Sequence, residues 1–144
     1  MAKTYQLTPM TRLVNSFIKG VLRLGLGLPN TYLLTTRGRK SGKLYTTPVA
    51  LVEQNGERWL VAPYGEVNWV KNARAAGEVT LTRKGKNEVL HVQPINVNES
   101  GWILKAYVRQ QPITQPYFDA RPESPDAAFT AEAARHPVFK LIPK

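Results

Sequence analysis

Four cations, a hydroxyl and two glycines crowd into the run Arg37-Gly38-Arg39-Lys40-Ser41-Gly42-Lys43. Arginine and lysine supply charge-assisted donors, and Ser41 adds a short neutral one. Gly38 and Gly42 allow a tight turn and are expected to leave backbone amides exposed. Such a set suits a phosphate or a carboxylate. It is not a nucleotide P-loop, because the glycine spacing and the following helix are missing. The plainer alternative is a basic, solvated hairpin tip.

Two neighbouring segments extend this reading. Tyr45-Thr46-Thr47-Pro48 follows directly, and Pro48 removes one ladder donor, which predicts an edge or a bulge. A planar ring can lie against backbone exposed in that way. Further on, Ala62-Pro63-Tyr64-Gly65 ends one strand and leads into a helix at Asn68, whose N-terminal amides can meet an anion or a carbonyl. Tyr64 and Trp69 are candidates to flank a ring, with Asn72 one turn beyond Asn68. The alternative for Trp69 is a place in the core, the commoner role for tryptophan.

Other chemistries lack their residues. There is no cysteine, and the two histidines, His91 and His136, stand far apart with no metal-ligand pattern. No metal site is expected. Neither a Ser-His-Asp arrangement nor a carboxylate pair near a pocket is visible. So few acids and bases suit an enzyme whose cofactor does the chemistry.

The elements that must position these residues are mainly strands. An amphipathic helix is predicted over Thr8–Leu24, with Thr8 as cap and Pro9 at the first position. Strands are predicted over Thr31–Thr36, Leu44–Glu53 and Arg58–Ala62, with a hairpin at Gln54-Asn55-Gly56. Trp59 and Val61 should face one side, Leu60 and Ala62 the other. A short helix over Asn68–Ala76 stops at Gly77. A second hairpin joins Val79–Arg83 to Glu88–Ile95 through Lys84-Gly85-Lys86-Asn87. Asn98 is expected to cap a helix to Gln110, a proline-rich loop covers Gln111–Pro125, a helix covers Asp126–Arg135, and Pro137–Ile142 closes as a strand. Long antiparallel strands with few helices favour a closed barrel over a parallel α/β sheet. One domain is expected over residues 1–144, with an N-terminal helix (1–28), a barrel core bearing the motifs (31–96) and a C-terminal part (97–144).

The formal charge is +10, which favours an anionic partner: a phosphorylated or polycarboxylate cofactor, an anionic membrane face or nucleic acid. No standard nucleic-acid motif accompanies it, so nucleic acid is not expected. No run reaches the roughly 18 apolar residues of a spanning helix, and the opening residues lack a signal-peptide pattern. A cytoplasmic location is predicted, with peripheral attachment to the inner membrane face as the variant in which Thr8–Leu24 lies in the interface.

Leu33–Val49 (LLTTRGRKSGKLYTTPV) and Ala62–Gly77 (APYGEVNWVKNARAAG) together resemble the deazaflavin (F420)-dependent nitroreductase and quinone reductase family, over roughly residues 10 to 96. The resemblance implies a mainly β (α+β) fold: a split β-barrel of the flavin-mononucleotide-binding type with an N-terminal helix and short peripheral helices. It implies an oxidoreductase that passes a hydride from reduced coenzyme F420, rather than FMN, to a quinone, nitroaromatic or activated alkene. Carried over by position, Arg39, Lys40 and Ser41 would hold the phosphate and glutamate tail. Thr46, Thr47 and Pro48 would line the ring, with Ala62, Pro63, Tyr64, Gly65 and Trp69 opposite. Arg37, Gly42 and Asn72 are further candidate cofactor contacts. Tyr64 and then Tyr45 are the candidate catalytic groups, each able to hydrogen-bond the acceptor oxygen. A homodimer is a further expectation from the resemblance. Tyr45 replaces an arginine, and Pro63-Tyr64 a serine-lysine pair, found in many relatives. The alternative is a lipid-binding or membrane-associated barrel with little catalytic activity.

Overall fold

The computed structural model describes residues 30–144. The helix predicted over Thr8–Leu24 lies outside the described residues, as does the membrane-surface expectation that rests on it.

Six strands form a closed antiparallel barrel in the order β1-β2-β3-β6-β5-β4. They are β1 Thr31–Arg37, β2 Leu44–Gln54, β3 Glu57–Val61, β4 Glu78–Arg83, β5 Lys86–Pro94 and β6 Val138–Pro143. Among the described residues, three α-helices accompany them: α1 Asn68–Ala76, α2 Val97–Gln110 and α3 Asp126–Glu132. Strand alternation divides the apolar residues as predicted. Leu60 and Ala62 join Leu34, Leu51 and Phe139 in the barrel interior, which Val70 and Ala73 of α1 close. Trp59 and Val61 face outward against Ile103, Leu104 and Val108 of α2 and Phe129 of α3. The burial of these two apolar groups is the main force holding helices to barrel.

Turn chemistry explains most of the connections. Asn55 and Gly56 take φ of 54° and 78°, the doubly left-handed turn whose twist matches a hairpin. Lys84 and Gly85 do the same at 51° and 76°, so the second hairpin turns on two residues and Lys86 and Asn87 already belong to β5. α1 ends where predicted, its Gly77 amide donating to Ala73 O at 2.8 Å. Two details differ from expectation. Asn96, not Asn98, caps α2, its side chain accepting from the Asn98 amide at 2.8 Å. Within the proline-rich segment, Pro112–Tyr117 forms a 3-10 turn, which tolerates Pro112 because a first-turn N–H has no intrahelical partner.

One feature of the barrel bears directly on the site. β2 pairs with β1 from Leu44 to Ala50, but with β3 only from Leu51 to Gln54. Beyond Leu51 and Leu60 the two strands diverge, and β3 turns to β6. The Leu51 amide donates toward β1, to Asn30 O at 2.8 Å. By antiparallel alternation, Val49, Thr47 and Tyr45 bond to β1, and the main-chain groups of Leu44, Thr46, Pro48 and Ala50 turn to the open side. The missing N–H of Pro48 therefore falls on an unpaired edge, where it costs no ladder bond.

Candidate functional site

The loop after β1 is built largely from its own hydrogen bonds. Gly38 N donates to Lys43 O at 2.7 Å, Gly42 N to Gly38 O at 2.9 Å, and the Arg37 guanidinium to Gly42 O at 2.8 Å. Ser41 Oγ accepts from the Lys43 amide at 3.2 Å and lies 3.5 Å from the Tyr45 hydroxyl. This corrects one expectation: the amides of Gly38 and Gly42 are not free, because the loop closes on itself. The glycines are needed for other reasons. A Cβ on Gly38 would stand 2.8 Å from both Ser41 Oγ and the Tyr45 ring, and Gly42 takes φ of +74°.

The loop is also tied to α1. Asn72 Oδ1 accepts from the Arg39 amide at 3.2 Å and from the Arg39 guanidinium at 2.8 Å. Asn72 is only 3% exposed, so this oxygen anchors the loop from inside the fold. Lys40 and Lys43 point outward, and none of the four loop cations has an ion pair among the described residues. The chain holds no aspartate or glutamate before Glu53. Glu66, which precedes α1, is held by Arg74 at 2.9 Å, and Glu78, which follows it, by Lys144 at 2.9 Å. The Arg74 bond keeps the Glu66 carboxyl below its ordinary range. The loop cations therefore have no ion-pair partner among the described residues, Glu78 acting on Arg37 only at longer range, and α1 beside them begins without a side-chain cap or a first-turn acid.

The ring-side candidates occupy the opening between β2 and β3. Thr46 is exposed and its hydroxyl lies 3.0 Å from that of Thr35, while Thr47 and Pro48 are half-buried. Tyr45 is 52% exposed. Thr36, at the last buried position of β1, holds the one buried side-chain oxygen without a partner among the described residues. Tyr64 and Trp69 go to different packing groups. Trp69 tilts against Phe139 at 6.4 Å, the core role weighed as its alternative. Tyr64 meets Tyr117 edge-on at 4.8 Å near Tyr107, whose phenol is pushed well above its ordinary value by burial, with the charge of Tyr64 adding to it. A hollow of about 150 Å³ lies beyond α1, lined by Glu66, Arg74, Ile95 and Phe139 and by none of the loop residues.

Sequence reasoning passed over two groups at this opening. Gln110 of α2 donates to Leu51 O at 2.7 Å, at the point where the strands part. His136, dismissed as a metal ligand, is 3% exposed and bonds the Pro63 carbonyl through Nδ1 at 2.9 Å. Its Nε2 lies 2.8 Å from Glu132 Oε1. The spacing of four between Glu132 and His136, across the end of the helix expected over Asp126–Arg135, was the available signal.

Comparison with solved structures gives the class first. The chain shares its fold with an FAD-binding protein from Mesorhizobium loti (11% identity, TM-score 0.51, 96% of this chain and 91% of that one). It also aligns with an F420-H2 dependent reductase, FDR-A (25% identity, TM-score 0.54, 78% and 94%). This is the split barrel of flavin-type oxidoreductases. A protein of unknown function from Agrobacterium tumefaciens, Atu2129, aligns at 18% identity and TM-score 0.59 over 86% of this chain, which spans 54% of its length. No curated protein matches the sequence. The sequence model for F420H(2)-dependent quinone reductase matches residues 10–119, and the chain belongs to that family. Its cofactor is coenzyme F420, and its members are oxidoreductases. No helix among the described residues is long and apolar enough to cross a membrane.

Proposed function

We propose that this chain reduces a planar, quinone-class acceptor with reduced F420, and that the loop Arg37–Lys43 holds the anionic tail. Nitroaromatics and activated alkenes are the other planar acceptors of the same reading. The observation that carries it is the set of four cations, without an ion-pair partner among the described residues, at the end of an unpaired strand edge. Bound F420 supplies the hydride. A quinone that gains one hydride and one proton becomes a hydroquinone, so the chain must hold a ring, place an acceptor on it and bring a proton to the acceptor oxygen.

Each task has candidate residues. Arg39 and Lys40 offer donors to phosphate and carboxylates, with Arg39 aimed by Asn72. Four cations match a phosphate plus a glutamate tail better than the single phosphate of FMN. The open side of β2 at Thr46 and Pro48 offers main-chain groups to the rim of a ring. Tyr64, half-buried and braced by Tyr117, is the first candidate to hydrogen-bond the acceptor oxygen, and the exposed Tyr45 is the second. The homodimer expectation belongs to this reading too: the open β2 edge and the exposed Leu44 are surface that a second copy would cover, and sedimentation velocity distinguishes one copy from two. The lipid-binding alternative rests on residues 8–24, and no described residue favours it.

Fluorescence titration with F420 at low salt tests the proposal. Saturable binding is expected, weakening as salt rises. Lys40→Ala should weaken it by about 1.5–3 kcal/mol, the range for a hydrogen bond to a charged group. Absence of binding at high micromolar protein would remove the assignment.

A further inference from the structure

The C-terminal segment beyond the family-matched stretch runs along the loop Ala62–Gly65. Pro137 O accepts from the Ala62 amide at 2.8 Å. His136 Nδ1 bonds Pro63 O at 2.9 Å. Arg135 O lies 3.4 Å from where a Cβ on Gly65 would stand, and Gly65 takes φ of +90°. Two successive residues thus bond to the loop that carries Tyr64, and the Arg135 carbonyl stands beside it. The middle contact is special, because proline has no N–H and its carbonyl is the only main-chain polar group by which residue 63 can be tethered.

The imidazole that makes this contact cannot turn. Its ring stacks on Phe118 at 3.9 Å. Glu132 is 4% exposed, and its carboxylate also accepts the amides of Asp119 at 3.0 Å and Ala120 at 2.7 Å. A carbonyl oxygen only accepts, so Nδ1 must carry a proton toward Pro63. Nε2 lies at hydrogen-bond distance from a carboxylate oxygen, so both ring nitrogens are engaged. With all of these groups buried, water cannot replace a lost partner.

We infer that His136, locked by Glu132, is the positioning residue that sets the Pro63–Gly65 loop, and with it Tyr64, against the acceptor. This rests on the proposed function for what the loop does, but not for how it is held. A merely structural histidine and a positioning one differ in a pair of substitutions. The amide nitrogen of asparagine sits near the place of Nδ1, and that of glutamine near the place of Nε2. His136→Asn keeps the tether to Pro63 and gives up Glu132; His136→Gln does the reverse. Both lose the ring and its stacking.

The experiment compares the two variants by thermal unfolding, F420 affinity, turnover and amide hydrogen exchange at Gly65 and Val67. Both should lose similar stability, and both should bind F420 within about threefold of the wild type, since the tail loop is untouched. Turnover should fall about 10–100-fold in His136→Gln, the scale of a small misplacement at a reacting centre, and stay near wild type in His136→Asn. Exchange at Gly65 should accelerate only in His136→Gln. Equal turnover and equal exchange in the two variants would overturn the inference. Should either variant fail to fold, His136→Phe keeps a ring to stack on Phe118 and removes the donor to Pro63; unchanged exchange at Gly65 there would overturn it as well. A wild type that binds no F420 would sink the proposed function, while the exchange comparison would still decide whether His136 holds the loop.

Discussion

Asn72→Ala tests how the cationic loop is held. The substitution removes one oxygen that serves two donors of Arg39, at 3.2 Å and 2.8 Å. A neutral hydrogen bond is worth about 0.5–1.5 kcal/mol net and one to a charged group about 1.5–3 kcal/mol. Their simple sum overstates the loss. The Arg39 side chain is exposed, so water takes up the freed guanidinium, and the amide bond is long. A loss of about 1–2 kcal/mol in stability is left by this reasoning. The same anchor orders the loop before any anion arrives. Without it the loop must be ordered on binding, so F420 affinity should fall by a similar free energy, about 5–30-fold. Urea unfolding of Asn72→Ala, Arg39→Ala and the double variant measures the coupling, and fluorescence titration of Asn72→Ala measures the affinity. A coupling of about 1 kcal/mol is expected for partners in direct contact. Additive single effects, or wild-type affinity in a destabilised Asn72→Ala, would refute the reasoning.

Two further outcomes follow from the packing. Gly101 lets α2 approach α3: a Cβ there would collide with the Thr130 hydroxyl and stand 2.6 Å from Asp126 O, a backbone atom that cannot swing away. Gly101→Ala should lower the unfolding free energy from urea titration by about 1–2 kcal/mol despite a helix-propensity gain of about 1 kcal/mol, and an unchanged or higher value would show the helices free to separate. Tyr107 ionises with difficulty because it is buried, so its folded value lies above the unfolded value of about 10. Its contribution to stability is full below pH about 10 and is lost as pH rises from there toward the folded value. Tyr107→Phe should flatten that alkaline fall in unfolding free energy; an identical fall in the variant would assign it to other groups.

How far the fold could be read depended on the range of the forces involved. Alternation is local, so Trp59 and Val61 could be separated from Leu60 and Ala62 in the sequence, and they line opposite sides of β3. Turn residues are also local. Asn55-Gly56 and Gly77 stop their elements where their backbone angles allow, and α1 has the predicted bounds. The site was legible only in part. The charge of Arg37–Lys43 is visible in any reading, but whether a glycine amide is free depends on how the loop folds upon itself. Arg37 turning back to Gly42 O is a three-dimensional fact. Tyr64 and Trp69 lie five residues apart and look equivalent in sequence, yet one packs on Tyr117 and the other on Phe139.

The histidine shows the limit most sharply. Read for metal ligation or nucleophile activation, His136 lacks neighbours, because the groups that matter to it are a proline carbonyl far upstream and a glutamate on the preceding turn. Such a contact follows from β6 pairing with β3, which brings Pro137 beside Ala62. Barrel closure is thus not only a way to remove strand edges. It delivers a rigid, buried donor to the Pro63 carbonyl. Where β2 and β3 part, the barrel leaves an edge unpaired; where β3 and β6 join, it holds the Pro63 loop. Opening and anchorage are two consequences of the same strand order, so a substitution that loosens β6 should be felt at Tyr64 before it is felt at Lys40.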